Sequence, residues 1–386
     1  MTTHVFIVDS KTFKVHLENL FAGTGAGENI IDFNDNVETN LHPTKENNLV
    51  SMIADANRIR TGDFIIFYLQ QNFQENIREG KFYGIFKAKN DWSFLDHNDP
   101  SQYLIDELGK SLTFRTLIDP YRVYSKGVTE WEALDEIKNI QSPNQMLWSL
   151  IYRKLKGNRG NTMVAIYEAE RLFQLIRNKN NREELNFEKK TLTFDSTDQL
   201  IKTKSGELRK YLGRQEEIRI LPRLVQKYKS GKAFESHLQA FIVQNIGKSE
   251  NLDDAILDSR TIEWIGNEVS CGVGMQRIDV MLSVENNNQK SVIPIELKAI
   301  EADKNNVLQI QRYLDWLGQY YIPNRQSDIE PVLIAKKIAD KSNTNYRFLI
   351  EAFHTFNSRN EEICDKLKYI EFSIIGDNLT FEKVDY

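Results

Sequence analysis

Two acids and a lysine stand within apolar, strand-like runs in the last third of the chain. Asp279 lies inside the run 277–282, and Glu296 and Lys298 end the run 292–298. Residues two apart in a strand project to the same face, so Glu296 and Lys298 are expected to point together. Charged groups in an apolar strand are costly unless they pair or hold a metal ion. The pattern predicts carboxylates that bind a divalent metal beside a lysine.

The segment 285–290 between these runs is polar and turn-prone, which predicts a hairpin with Asp279 beside Glu296. The simpler interpretation is a hairpin with a structural ion pair on its surface. The following stretch, 302–317, has apolar residues at helical spacings and predicts an amphipathic helix. Gln309 and Tyr313 are four apart and would share one face of it.

Asp279, the Glu-x-Lys motif at Glu296 and the Gln-x-x-x-Tyr motif at Gln309 together resemble the PD-(D/E)XK nuclease fold. The last motif is similar to the RecB-like branch and to the NucS (EndoMS) endonucleases. The run 233–245 resembles the helix that opens this fold, with Glu235 as its acid. The predicted order is helix, three strands at 261–270, 276–284 and 291–300, helix, and a strand at 331–335. One departure is that no proline precedes Asp279.

The resemblance implies phosphodiester hydrolysis with Mg²⁺, or Mn²⁺, held by Asp279 and Glu296. Such hard ions bind carboxylate oxygens and retain several waters. By the same resemblance, the backbone carbonyl of Leu297 is a further ligand. Lys298 would orient or deprotonate the attacking water and offset phosphate charge.

Three further residues have implied roles in the same chemistry. Glu235 would hold a second metal through water, with a capping or surface acid as the alternative. Gln309 and Tyr313 would position Lys298 or the DNA backbone, with ordinary helix packing as the alternative.

Length and composition are consistent with two domains in a reduced compartment. The chain has 386 residues and two cysteines, too few for a zinc cluster or a disulfide framework. No apolar run has the length of a membrane span, and the expected location is the cytoplasm. The glycine-rich stretch 23–27 lacks the Lys-Ser/Thr of a phosphate-binding loop, so no nucleotide cofactor is expected.

Charge is unevenly distributed along the chain. The net charge is −5, yet residues 151–232 contain 20 Lys or Arg against 10 Asp or Glu. A basic segment beside an acidic metal site favours contact with DNA phosphates. A solvated helical face is the alternative for any single residue. The residues predicted to contact DNA are Arg153, Lys154, Lys156, Arg159 and Arg277. For the first four, stabilisation of the end of a helix that would close at Gly157 is the alternative.

The N-terminal part contains strand-like runs at 4–8, 63–69 and 81–88. The stretches 57–68 and 80–88 resemble the PUA-like superfamily, whose EVE and YTH members bind modified or flipped bases in an aromatic pocket. The resemblance implies a small β-barrel that reads DNA or RNA bases. The candidates for stacking are Tyr68, Tyr83, Phe86 and Trp92, with core packing as the alternative for each.

The sequence therefore predicts a mixed α/β and α+β protein. A PUA-like β-barrel domain would cover residues 1–175, a basic helical linker 176–230 with a helix at 208–228, and a nuclease domain with an αβββαβ core 231–386. The expected function is a Mg²⁺-dependent endonuclease on double-stranded DNA, of restriction type, with dependence on a modified base left open. A homodimer is expected because two chains would cut two strands. The alternatives are a NucS-like repair endonuclease on mismatched or branched DNA, and a modified-base reader that does not cleave.

Overall fold

The computed structural model describes residues 1–27, 41–135, 160–207, 209–271 and 276–386. The predicted phosphate contacts Arg153, Lys154, Lys156 and Arg159 lie outside these residues. The helices are α1 (Ser10–Asn19), α2 (Pro43–Asn57), α3 (Ile105–Leu108), α4 (Glu130–Asp135), α5 (Ile166–Lys179), α6 (Leu221–Lys229), α7 (Glu235–Asn245), α8 (Glu250–Ile256), α9 (Asn306–Trp316) and α10 (Thr344–Arg359).

The strands alternate with these helices in a mixed α/β chain. They are β1 (Thr3–Val8), β2 (Phe21–Thr24), β3 (Phe64–Leu69), β4 (Lys81–Ala88), β5 (Phe94–Leu95), β6 (Phe114–Pro120), β7 (Val128–Thr129), β8 (Asn161–Val164), β9 (Lys190–Asp195), β10 (Leu200–Ser205), β11 (Glu216–Glu217), β12 (Thr261–Ser270), β13 (Arg277–Asn286), β14 (Gln289–Glu301), β15 (Asp328–Ile329), β16 (Val332–Lys336), β17 (Lys368–Ile375) and β18 (Asn378–Val384).

The chain divides into two compact units, and neither is continuous in sequence. Unit 1 comprises Met1–Asp32 and Asp55–Ile218, and unit 2 comprises Phe33–Ala54 and Arg219–Tyr386. The predicted boundaries at 175 and 230 differ from this division, because hairpin β9–β10 belongs to unit 1. Among the described residues, no helix is long and apolar enough to cross a membrane.

Unit 1 is built on a nine-stranded sheet with the order β11-β5-β6-β4-β3-β1-β8, to which β2 and β7 add at β6 and β4. Strands β1 and β3 are parallel, and β3, β4 and β6 are antiparallel neighbours. The strands predicted at 4–8, 63–69 and 81–88 are confirmed as β1, β3 and β4. Their apolar runs are continuous because both faces of this sheet are buried.

Side chains from alternate strand positions enter two separate cores. On one face Phe67, Tyr83 and Phe86 pack with Phe13 of α1, and on the other Tyr68 packs with α5 residues such as Leu172. Hairpin β9–β10 closes the first core, and it contributes Leu192, Phe194 and Ile201. The predicted helical linker at 176–230 is therefore corrected: it holds a hairpin that belongs to this core. The helix predicted at 208–228 is limited to α6.

Unit 2 is built on a seven-stranded sheet with the order β12-β13-β14-β16-β17-β18, and β15 pairs with β14. Strands β12, β13 and β14 form an antiparallel meander, whereas β14, β16 and β17 run parallel. Helices α7 and α9 both pack against β14. The predicted order of helix, three strands, helix and strand is present, with α8 added after α7. These elements hold the acids that the sequence singled out.

A buried ion-pair network joins α2 to the helices of unit 2. Glu46 of α2 lies 2.7 Å from Arg223 Nε and 2.7 Å from Lys227 Nζ, both on α6, and 3.0 Å from His237 Nε2 on α7. All four side chains are at most 6% exposed. His237 stays neutral because burial lowers its pKa, whereas its three partners hold the pKa of Glu46 below its usual range. The network anchors a segment from the N-terminal part of the chain in unit 2.

Candidate active site

The site in unit 2 begins where strands β13 and β14 stop pairing. Their ladder ends at the pair Val280 and Ile295, and the next position along each strand holds Asp279 and Glu296. The Leu297 N–H donates instead to Asp279 Oδ2 at 2.8 Å. Directly opposed residues of an antiparallel pair share a face. The end of the hairpin thus places two carboxylates side by side, as the sequence predicted.

Glu296 and Lys298 project together from β14 and form an ion pair. Lys298 Nζ lies 2.5 Å from Glu296 Oε1, and the two side chains are 16% and 1% exposed. This is the same-face arrangement expected of residues two apart in a strand. Strand β14 pairs with β13 and β16, so both side chains stand on a rigid central strand.

Tyr313 of α9 is the next contact outward from Glu296. Its hydroxyl is hydrogen-bonded to Glu296 Oε2 and lies 2.9 Å from the backbone oxygen of Arg277. Burial, Glu296 and Asp279 all raise the pKa of the phenol, so Tyr313 keeps its proton and donates it. Tyr313 therefore contacts Glu296, whereas the resemblance implied that it would position Lys298 or the DNA backbone.

Helix α7 faces the site with two residues one turn apart. Glu235, its first residue, has Oε1 3.9 Å from Lys298 Nζ, and its carboxylate accepts a hydrogen bond from the Ala299 backbone. Gln239 donates from Nε2 to the backbone oxygen of Asp279 at 2.8 Å. Sequence reasoning missed Gln239. The available signal was its position four residues after Glu235, on the same helical face.

The electrostatics of the site are those of carboxylates held close together. Burial and the neighbouring Glu296 raise the pKa of Asp279 well above its usual range. Burial also raises the pKa of Glu235. Burial alone would lower the pKa of Lys298, but Glu296, Glu235 and Asp279 together hold it above the usual value. The three acids thus favour the ammonium form of Lys298.

The donor set fits a magnesium-like ion. Among the described residues, no cluster of three His, Cys, Asp or Glu side chains could hold a metal by itself. Mg²⁺ needs fewer protein ligands, because it binds through one or two carboxylates and keeps its waters. Asp279 and Glu296 supply two hard oxygen donors whose mutual repulsion a divalent cation would relieve.

Two other predicted site residues lie in the same unit. Gln309 is half-buried on α9, and its side chain makes no hydrogen bond to another described residue. Arg277 is exposed at the start of β13 and lies 2.5 Å from Glu268 Oε2. Gln309 remains a prediction for positioning Lys298 or the DNA backbone, and Arg277 remains one for contact with DNA. Tyr313 is the α9 residue that touches the acids.

The four aromatic residues predicted to form a base pocket are not grouped in unit 1. Tyr83 and Phe86 are fully buried in the core on one face of the sheet, and Tyr68 is buried in the core on the other. Their rings leave no free face for a base, which corrects the stacking prediction in favour of core packing. Trp92 is 48% exposed.

The chain matches no protein-family model, and no curated protein is significantly similar to it. Several solved structures are similar to part of it, among them the following two. A hypothetical protein from Leishmania major is 10% identical, and the match covers 46% of this chain and 96% of that one with a TM-score of 0.28. Human THYN1 protein, in complex with DNA that contains 5-methylcytosine, is 12% identical, covering 45% of this chain and 97% of that one with a TM-score of 0.25. Scores this low establish no shared function.

Proposed function

We propose that the protein is a Mg²⁺-dependent DNA endonuclease of restriction type, with unit 2 as the cleaving part and unit 1 as the part that reads DNA. The observation that carries the proposal is the pair Asp279 and Glu296 at the open end of hairpin β13–β14, with Lys298 beside them. A purely structural ion pair would need only one acid for the lysine. The second acid, with its raised pKa, is better explained by a divalent ion.

The roles of the side chains follow from their contacts. Asp279 and Glu296 would hold the ion, which lowers the pKa of a bound water and neutralises phosphate charge. The Lys298 ammonium would stabilise the negative charge that develops on the phosphate oxygens. Tyr313 fixes the rotamer of Glu296, and Gln239 fixes the backbone at Asp279. Such supporting hydrogen bonds keep metal ligands in a productive geometry.

Incubation with Mg²⁺ tests the proposal directly. The substrates are plasmid DNA without modification, the same DNA with methylated or hydroxymethylated cytosine, and a duplex with a single mismatch. Discrete fragments that are absent with Glu296→Gln would support the proposal. A difference between the first two substrates would assign modified-base dependence, and cleavage of the mismatched duplex alone would indicate the repair alternative. Binding without cleavage of any substrate would favour the reader.

The phenol of Tyr313 provides a sharper test of the geometry. Tyr313→Phe is expected to lower the cleavage rate about 10- to 100-fold, the usual effect of removing a group that orients a metal ligand. Activity should return partly at high Mn²⁺ concentration, because metal affinity is the property weakened. Tyr346→Phe is the matched control, since its hydroxyl makes no hydrogen bond to a described residue. Equal rates for Tyr313→Phe and wild type would contradict the assigned role.

Cutting both strands with one site per chain requires two chains, so we expect a homodimer on DNA. Sedimentation of the Glu296→Gln variant with a cognate duplex measures this stoichiometry. One chain of this variant per duplex, combined with cleavage of both strands of the same duplex by the wild-type protein, would contradict it.

A further inference from the structure

Unit 1 contains a cavity of about 260 Å³ that opens to solvent between α5 and the sheet. Three aromatic rings form its walls. Phe64 begins β3, Tyr121 follows β6, and Phe173 lies on α5. The ring centroid of Phe64 lies 5.1 Å from that of Phe173 and 5.8 Å from that of Tyr121. Tyr121 is 40% exposed, so its ring is accessible from solvent.

Cations surround these rings. Lys87 Nζ lies 4.2 Å from the Tyr121 ring centroid, and the Arg122 guanidinium lies 5.4 Å from it. Arg177 lines the cavity from α5. Arg122 Nε lies 3.7 Å from Glu184 Oε1, and an ion pair as exposed as this one contributes little to stability. Within the described residues, Lys87 and Arg177 form no ion pair with any carboxylate.

The lining also offers polar groups that can read a base. Glu170 and Gln174 stand on exposed positions of α5 at the cavity. A carboxylate accepts from an exocyclic amine such as N4 of cytosine, and a side-chain amide both donates and accepts. Aromatic walls, two or three cations and a few polar groups are the combination that binds a base together with its phosphate.

We propose that this cavity binds a nucleotide, with the base against Phe64, Tyr121 and Phe173 and the phosphate at Arg177, Arg122 and Lys87. The expected occupant is a nucleotide of an unpaired DNA strand. Lys87 contacts the Phe64 and Tyr121 rings and Arg177 lines the cavity, so both charges can meet a phosphate there. The cavity belongs to unit 1 and the acids belong to unit 2, so the inference rests on the proposed role of unit 1 in reading DNA and not on nuclease activity.

The test is fluorescence anisotropy of a labelled single-stranded 12-mer with full-length protein in EDTA, where no cleavage occurs. Arg177→Gln should weaken binding about 5- to 10-fold. It should also make the slope of log K against log salt concentration shallower by about 0.7, the value for one phosphate contact on a single strand. Tyr121→Leu, which keeps apolar volume but removes the π face, should weaken binding about tenfold. The control Lys14→Gln removes an exposed charge from α1, which packs on the other face of the sheet.

Binding within twofold of wild type for both Arg177→Gln and Tyr121→Leu would overturn the proposal, provided that both variants melt at the wild-type temperature. An equal loss for Lys14→Gln would also overturn it, because that result indicates a diffuse charge effect. Unlabelled dCMP and a polyglutamate peptide serve as competitors. Displacement by dCMP supports a site for one nucleotide, and displacement by unlabelled strand alone supports a strand site. Displacement by the peptide but not by dCMP or by unlabelled strand would overturn the nucleotide assignment in favour of a protein partner.

Discussion

Replacing Asp279 or Lys298 by alanine is expected to lower DNA cleavage by about a thousandfold or more, while DNA binding is retained. Asp279→Ala removes a metal ligand and its bond to the Leu297 N–H. Lys298→Ala removes the ammonium that would face the phosphate and leaves Glu296 without its ion-pair partner. The measurements are the single-turnover cleavage rate with Mg²⁺ and the affinity for the same duplex in EDTA.

The matched control for this pair is Glu382→Gln, which removes an exposed acid from β18 of the same sheet. It should cleave at the wild-type rate. Calorimetric titration with Mn²⁺ adds a readout that needs no substrate, since Asp279→Ala should lose the binding heat and Glu382→Gln should keep it. Full activity in Asp279→Ala or Lys298→Ala would refute the site assignment.

The second large effect concerns stability. Glu46→Gln is expected to lower the free energy of unfolding of unit 2 by about 3 kcal/mol, because the buried cations of α6, Lys227 above all, would lose the charge of the acid that they contact. Removing one member of a buried ion-pair network lowers the stability by more than the intact network contributes to it. The reason is that the remaining charges stay away from water without the charge that offset them. Urea denaturation followed by tryptophan fluorescence measures this difference. A loss below about 0.5 kcal/mol, the size of an ordinary surface effect, would show that the network is not anchoring α2.

The same network predicts the direction of the pH dependence. The folded state holds the pKa of Glu46 below its usual range, so the folded protein binds its proton less tightly than the unfolded chain does. This contribution to stability is complete above about pH 4.3, the ordinary glutamate value, and falls as the pH is lowered further. The stability of Glu46→Gln should therefore vary less with pH below that value. Asp377→Asn, which disrupts the exposed pair with Lys229, is the control and should follow the wild-type profile.

Local pattern predicted the elements and the acids of unit 2. Strand β12 was expected at 261–270 and is found at Thr261–Ser270, after α7 and before β13, β14, α9 and β16, as expected. Alternation with period two placed Glu296 and Lys298 on one face, and the polar segment after β13 placed Asp279 beside them. These features depend on residues near in sequence, so the chain itself displays them.

The sequence by itself determined the order of the elements that carry the acids of unit 2 and which acids meet at the end of a hairpin, but not the hairpin β9–β10. Tertiary packing decided the rest. It set Tyr313 against Glu296 and Gln239 against Asp279, and it placed Tyr83 in a core instead of a pocket. It also brought Glu46 to α6 and α7 from some 180 residues away along the chain. Periodicity reveals that a face is buried, but which partner covers it depends on contacts between segments far apart in sequence, and no local pattern records those.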